Sequence, residues 1–355
     1  MRSSIRNFQS WLIIGLLTVA GCGGSDSTES KPTIKNEGSR AGRRPRIVTT
    51  VGMVTDIVRE VVGEHCEVIG LLSEGVDPHL YKPTREDVKQ LDDANTDIIF
   101  YGGLLLEGRM EESLKKIRQK GKQVVAVSEL LDPATLRKPP EFEGHFDPHV
   151  WMDVTLWSQC MEFAAKSICE FDPAHAATYT GRADLYKSRL GKLNSYVRTS
   201  IASIPEQQRV LVTAHDAFGY FARAYGMEVK SVQGISTESE AGVADVNALV
   251  DFLVERKIGA IFVESSVSDK SLRAVIEGAG KRGWKVKVGG ELFSDAMGPA
   301  GTYEGTYVGM IDHNATTIAR ALGGQAPEGG FRSTQQAGLR IEPDATTDAA
   351  GKDEK

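Results

Sequence analysis

The chain has 355 residues, with 42 Lys and Arg against 48 Asp and Glu, and a formal net charge of −6 at pH 7. The two signs are interspersed, so no basic footprint exists to draw in a phosphate backbone, and nucleic acid is not an expected partner. The length allows two lobes of ordinary domain size.

Residues 1–21 read as an export signal. Arg2 and Arg6 precede the apolar run Trp11–Val19, which falls short of the about 20 residues that cross a bilayer. The run ends in Val19-Ala20-Gly21-Cys22, which is similar to a bacterial lipobox and implies cleavage before Cys22 and lipid on its thiol. An ordinary secretory signal with an incidental Cys is the alternative. A lipid there would anchor the protein to a membrane surface without a spanning helix. Residues 22–44 carry almost no large apolar side chain and read as a flexible tether.

Residues 45–172 and 205–323 form two halves built alike. Arg46–Val51 is a β-branched run followed by a helix with apolar positions at Met53, Ile57, Val58 and Val61, and Arg209–Ala214 leads likewise into Phe218, Phe221, Ala222 and Tyr225. A second unit follows in each half. A helix near Leu91 leads to the strand Asp97–Phe100, and one near Leu249 leads to Ala260–Val263. A third pair of strands is expected at Gln123–Val127 and Lys285–Val288. Short all-apolar strands alternating with helices predict an α/β fold, with a parallel sheet flanked by helices in each lobe. Between them, Tyr186, Leu190, Leu193, Val197, Ile201 and Ile204 recur on one helix face. Asp172-Pro173 caps the start and Pro205 stops the run. One long backbone helix, 173–204, is therefore predicted to join the lobes and to leave a largely preformed cleft. Residues 324–355, rich in Gly and charge, read as a disordered tail.

Besides Cys22, whose thiol the lipid would occupy, three cysteines remain after processing: Cys66, Cys160 and Cys169. Cys160 and Cys169, nine apart on a predicted helix, point to opposite faces and should not pair, and buried inert thiols are expected.

The histidines carry the functional signal. His79 stands in Asp77-Pro78-His79, His149 in Asp147-Pro148-His149, and His215 directly after a predicted strand in Thr213-Ala214-His215-Asp216. They lie roughly 65–70 residues apart. Imidazoles gathered by a fold from such distant points usually hold a metal ion. In open α/β sheets, ligands sit outside the carboxyl ends of the strands, where Asp295, in Glu291-Leu292-Phe293-Ser294-Asp295, also falls. Each lobe would then supply two donors. Three neutral imidazoles and one carboxylate suit Zn2+ and are acceptable to Mn2+. Asp295 could instead cap a helix. His145, near the expected entrance, is a weaker candidate, and His65, His175 and His313 read as surface or structural. Asp77 and Asp147 are either partners of the ligating histidines or plain turn residues. Glu264, at a strand end facing the cleft, reads more readily as a cap for the helix that follows.

Taken together, the lipobox, Asp77–Thr84, His145–Asp153, Thr213–Phe221, Gly289–Gly298 and the central helix resemble the metal-binding solute receptors of zinc/manganese ABC importers, in their TroA-like branch. The likeness runs from about Arg46 to Leu322. It implies His79, His149, His215 and Asp295 as ligands of one ion, Zn2+ or Mn2+, carried as substrate and not used for catalysis. It also implies a monomeric, extracytoplasmic lipoprotein that delivers the ion to a membrane permease with a cytoplasmic ATPase. Lys82 and Arg85 stand where the family commonly has Glu and Pro. No long His/Asp-rich loop separates His79 from His149, which leaves manganese open, whereas His at 215, where several manganese-dedicated members carry Glu, favours zinc. Two other readings compete: a zinc hydrolase with an open coordination position, and a siderophore or cobalamin receptor of similar bilobal plan.

Overall fold

The computed structural model describes residues 43–339. The expected signal, the Cys22 lipid site, nearly all of the tether and the tail beyond 339 lie outside the described residues.

In the first lobe β1 (Arg46–Thr49), α1 (Gly52–Val62), β2 (Glu67–Gly70), α2 (Arg85–Asp92), β3 (Ile98–Tyr101), α3 (Glu111–Gln119) and β4 (Gln123–Ala126) alternate. The four strands form one parallel sheet in the order β2-β1-β3-β4, with Val48 opposite Ile69 on one side and Ile99 on the other. β1 and β3 are central; β3 is buried throughout and reads as an unbroken apolar run, and β1 buries Ile47, Val48 and Thr49. α2 begins at a capping box, in which Thr84 and Asp87 satisfy each other's backbone amides.

α4 (Val154–Phe171), a short turn at Pro173–His175 and α5 (Ala176–Ala202) follow. α5 is 27 residues long, about 40 Å at the usual rise. It buries Tyr179, Ala183, Tyr186, Leu190, Leu193, Val197 and Ile201 on one stripe, against α1 and α4 on one side and the second lobe on the other.

The second lobe contains β5 (Val210–Thr213), α6 (Gly219–Tyr225), β6 (Glu228–Ser231), α7 (Val243–Arg256), β7 (Ala260–Glu264), α8 (Lys270–Lys281), β8 (Lys287–Leu292), α9 (Tyr307–Ala321) and α10 (Gly330–Leu339). Its strands pair as two parallel ribbons, β5 with β6 and β7 with β8, with β5 lying beside β7. The sheet expected as continuous is thus divided. At the divide, the amides of Ala214 and His215 donate to the Glu264 carboxylate at 2.7 and 2.9 Å. β8 also runs later than expected, and a bulge within it carries Phe262 past Gly289 to pair with Gly290. A side chain at 289 would press on the Phe262 ring at 2.8 Å and on Ala321 at 3.1 Å, so glycine allows the bulge.

The disordered tail expected from 324 needs correction, since Gly330–Leu339 is helical. Its first amides, those of Phe331 and Arg332, donate to the buried Asp312 carboxylate of α9 at 2.7 and 3.1 Å, and the Phe331 side chain is buried. A negative charge at a helix N-terminus stabilises it. Asp312→Ala should leave both amides without their acceptor and cost about 2 kcal/mol. Denaturant unfolding and amide exchange measure this, and unchanged exchange at Phe331 would remove Asp312 as the anchor.

Candidate metal centre

Each candidate side chain leaves the carboxyl edge of a strand or the start of a helix. His79 lies between β2 and α2, His149 opens the short helical turn Val150–Met152 before α4, His215 follows β5, and Asp295 follows β8. In both Asp-Pro-His segments the aspartate accepts the amide of the histidine two residues on, Asp77 from His79 at 2.8 Å and Asp147 from His149 at 3.0 Å. This local turn fixes where each imidazole starts.

The fold brings all four residues together. One donor atom from each of His79, His149, His215 and Asp295 lies within 4.8 Å of the other three, and all four side chains are buried. His79 Nε2 is 3.3 Å from His149 Nε2 and 4.0 Å from Asp295 Oδ2. Asp295 Oδ1 is 3.3 Å from His149 Nε2, and Oδ2 is 3.1 Å from His215 Nε2. Neither oxygen of Asp295 has a hydrogen-bond partner, nor does His215 Nε2. Burying such a carboxylate is costly unless positive charge faces it. A divalent cation among these donors would satisfy that demand.

Outer carboxylates set the tautomers. His149 Nδ1 donates to Asp147 Oδ1 at 2.8 Å, and His215 Nδ1 to Glu264 Oε2 at 2.6 Å. Each bond occupies Nδ1 and turns the Nε2 lone pair inward. Asp147 is itself held by the Arg137 guanidinium, which lies where any side chain at Gly219 would stand. Glu264 is therefore a partner of His215 and not a helix cap, and α8 starts from Asp269 instead. Asp295 caps no helix either. The indole N–H of Trp151 donates to Ser294 O at 2.9 Å, tying the His149 turn to the Asp295 loop.

Burial sets the proton affinities, and the neighbouring charges modify them. Burial pushes His79 down to about 3, with Asp295 offsetting only part of the effect. Burial also opposes charge on His149, but Asp147 and Asp295 outweigh it and carry the ring up to about 9. His215 is likewise raised well above its ordinary value by Asp295 and Glu264 despite its burial. Burial alone would raise Asp295, yet the two imidazoles hold it well below the usual carboxylate range.

The remaining candidates lie elsewhere. His145 is exposed beside Phe142, His65 stacks on His175 with ring centres 4.4 Å apart, and His313 Nε2 meets Glu291 O. Cys66, Cys160 and Cys169 are free, and burial raises the thiols of the first two. Sequence reasoning missed Arg137 and underweighted Glu264. The carboxyl-edge rule that selected His215 applies equally to Glu264 at the end of the adjacent strand.

A closed cluster of four donors drawn from two lobes suits capture of a bare ion, and the protein is a metal-binding substrate receptor of the kind that serves ABC importers. Residues 47–321 match the model of the periplasmic zinc-uptake complex component A, ZnuA, and the chain belongs to that family. The family is made up of solute-binding receptors, not enzymes, and works with ABC permease and ATPase components. The zinc-binding protein TroA of Treponema pallidum is 49% identical over 282 residues, covering 79% of this chain and 90% of that protein. The manganese-binding lipoprotein MntA of Bacillus subtilis is 44% identical over 312 residues, covering 88% and 97%. The solved structure of the Treponema pallidum periplasmic zinc-binding protein TroA superposes with a TM-score of 0.76 at 48% identity, covering 79% of this chain and 99% of that one. Among the described residues no helix is long and apolar enough to cross a membrane.

Replacing Glu264 by Gln should keep the volume and both backbone bonds but present an N–H to His215 Nδ1. The ring would then move its proton to Nε2 and lose its inward lone pair. Ion affinity measured by chelator competition should fall about 10–100-fold, and wild-type affinity would remove Glu264 from the site.

Proposed function

We propose that His79, His149, His215 and Asp295 together bind one divalent ion, Zn2+ or Mn2+, which the protein carries outside the cytoplasm and hands to an ABC permease. The observation that carries this reading is the buried Asp295 carboxylate, without a hydrogen-bond partner and ringed by three imidazole nitrogens. A lipid on Cys22 would keep the receptor at the membrane as a monomer. Relatives named for zinc and for manganese match at 49% and 44% identity, so likeness alone does not choose the metal. The donor set favours zinc, because the divalent series places Zn2+ above Mn2+ at nitrogen and oxygen sites. The hydrolase reading draws no support from a family of receptors.

Elemental analysis of protein purified without added metal, followed by Zn/Mn competition, tests the assignment. One equivalent of Zn2+ or Mn2+ is expected. His215→Ala should weaken binding at least about 100-fold by removing a donor and leaving Asp295 under-compensated. Unchanged affinity by chelator competition would defeat the ligand set.

Acid should compete with the ion. With His149 raised to about 9 and His215 raised well above its ordinary value by the carboxylates beside them, protons on both rings compete with the cation. Raising the pH lowers that cost, so affinity should climb from pH 5.5 to 7.5, roughly 10- to 100-fold per unit for one or two protons displaced. A flat titration profile over that range would contradict it.

A further inference from the structure

The three imidazoles are not held alike. His149 and His215 are each fixed at Nδ1 by a carboxylate. For His79 no Nδ1 partner is found among the described residues, and its placement depends on its backbone amide, bound to Asp77 Oδ1. The other oxygen of Asp77 accepts the buried Thr237 hydroxyl at 2.5 Å. Thr237 belongs to the opposite lobe, in the loop between β6 and α7.

That loop is anchored on both sides of His215. The Gln233 amide donates to Ala214 O at 2.9 Å, and the Asp216 amide donates to Gly234 O at 3.2 Å. From there it crosses the cleft twice, through Thr237 to Asp77 and through Glu238, which receives Arg109 Nε at 3.2 Å. Arg109 is presented by a loop with unusual backbone, in which Leu104 and Leu105 adopt φ of 56° and 68°. Left-handed leucines persist only where their surroundings impose them. Here the buried Glu107 accepts the amides of Gly102 and Gly103 and the hydroxyl of Thr50, and Glu129 accepts the amide of Leu104.

We infer that Thr237 is a positioning residue for His79, and that the loop carrying it is a clasp whose opening loosens this one imidazole and sets the rate at which the ion leaves. The inference rests on the reading of His79 as a ligand. One segment thereby couples His215 in one lobe to His79 in the other, and its grip on Asp77 is a charge-assisted hydrogen bond. When that bond breaks, Asp77 keeps its own turn but loses its tether across the cleft. His79 then leaves the ion before the two carboxylate-braced histidines do.

The test uses the ion-loaded protein and Zn2+ itself, with dissociation followed by rapid mixing into excess chelator and association measured separately. Thr237→Val keeps the shape and removes the donor. Dissociation should quicken about tenfold, as loss of one charge-assisted bond predicts, while association stays within about twofold of wild type, since mutational effects fall mainly on the off-rate. Thr237→Ser should restore the slow rate, which a purely structural defect would not allow. In an Asp77→Asn background, adding Thr237→Val should change the rate far less, because the partner is already weakened. Wild-type dissociation in Thr237→Val, with the ion bound and the thermal midpoint unchanged, overturns the clasp. If instead His79→Ala binds Zn2+ as tightly as wild type, the ligand reading fails and the clasp fails with it.

Discussion

The structure turns on one buried carboxylate. Asp295 is 1% exposed, and both its oxygens face imidazole nitrogens contributed by two lobes. Such a charge cannot stay ionised in the interior without positive partners. The carboxylates around His149 and His215 raise the proton affinities of both rings, so protons there can supply them, while burial lowers the proton affinity of His79. One carboxylate and two imidazolium rings sum to +1. One divalent cation among three neutral imidazoles and the same carboxylate also sums to +1. On the proposed ligand set, exchange of two protons for one ion would leave the buried charge unaltered, so the cavity would not need to be rebuilt electrostatically to load or unload.

The sequence made the donors legible for a local reason. The repeated Asp-Pro-His frame and the position of His215 at a strand end are both visible in a few consecutive residues. The parallel α/β lobes and the long helix were legible through apolar runs and a single helix face. The parts that stayed hidden depend on partners far along the chain. Glu264 becomes a histidine partner only because β5 and β7 lie side by side. α10 is ordered by Asp312, 18 residues before it, and by the burial of Phe331. The bulge opposite β7 depends on Gly289, where Phe262 and Ala321 leave no room for a side chain. Arg137 reaches Asp147 through space left open by a glycine of the other lobe.

Both lobes place a buried glutamate at the carboxyl end of their central strand pair, and they use it differently. Glu264 gathers the amides of Ala214 and His215 and the His215 ring. Glu107 gathers the amides of Gly102 and Gly103 with the Thr50 hydroxyl, and none of these partners is a histidine. Burial raises the Glu107 carboxyl against the pull of those donors. In the second lobe the glutamate holds a ring that faces the Asp295 carboxylate. In the first it holds a strained loop that leads to the rim. A common structural device thus fixes a histidine ring on one side of the cleft and a loop on the other.

The two ends of that cleft differ in how firmly they are joined. At the base, Tyr307 of α9 donates its hydroxyl to Trp151 O at 2.7 Å and its amide to Asp56 of α1 at 3.2 Å, and Tyr186 of α5 donates to the same Asp56 at 3.0 Å. These bonds are wholly or partly buried, and breaking one leaves a polar group with poor access to water, which is expensive. At the rim, Arg109 and Glu238 are 34% and 53% exposed, and the Ala300 amide on Glu74 is exposed as well. Water replaces such partners at little cost. Bonds at the rim are therefore cheaper to exchange with water than those at the base, where the long helix also joins the lobes.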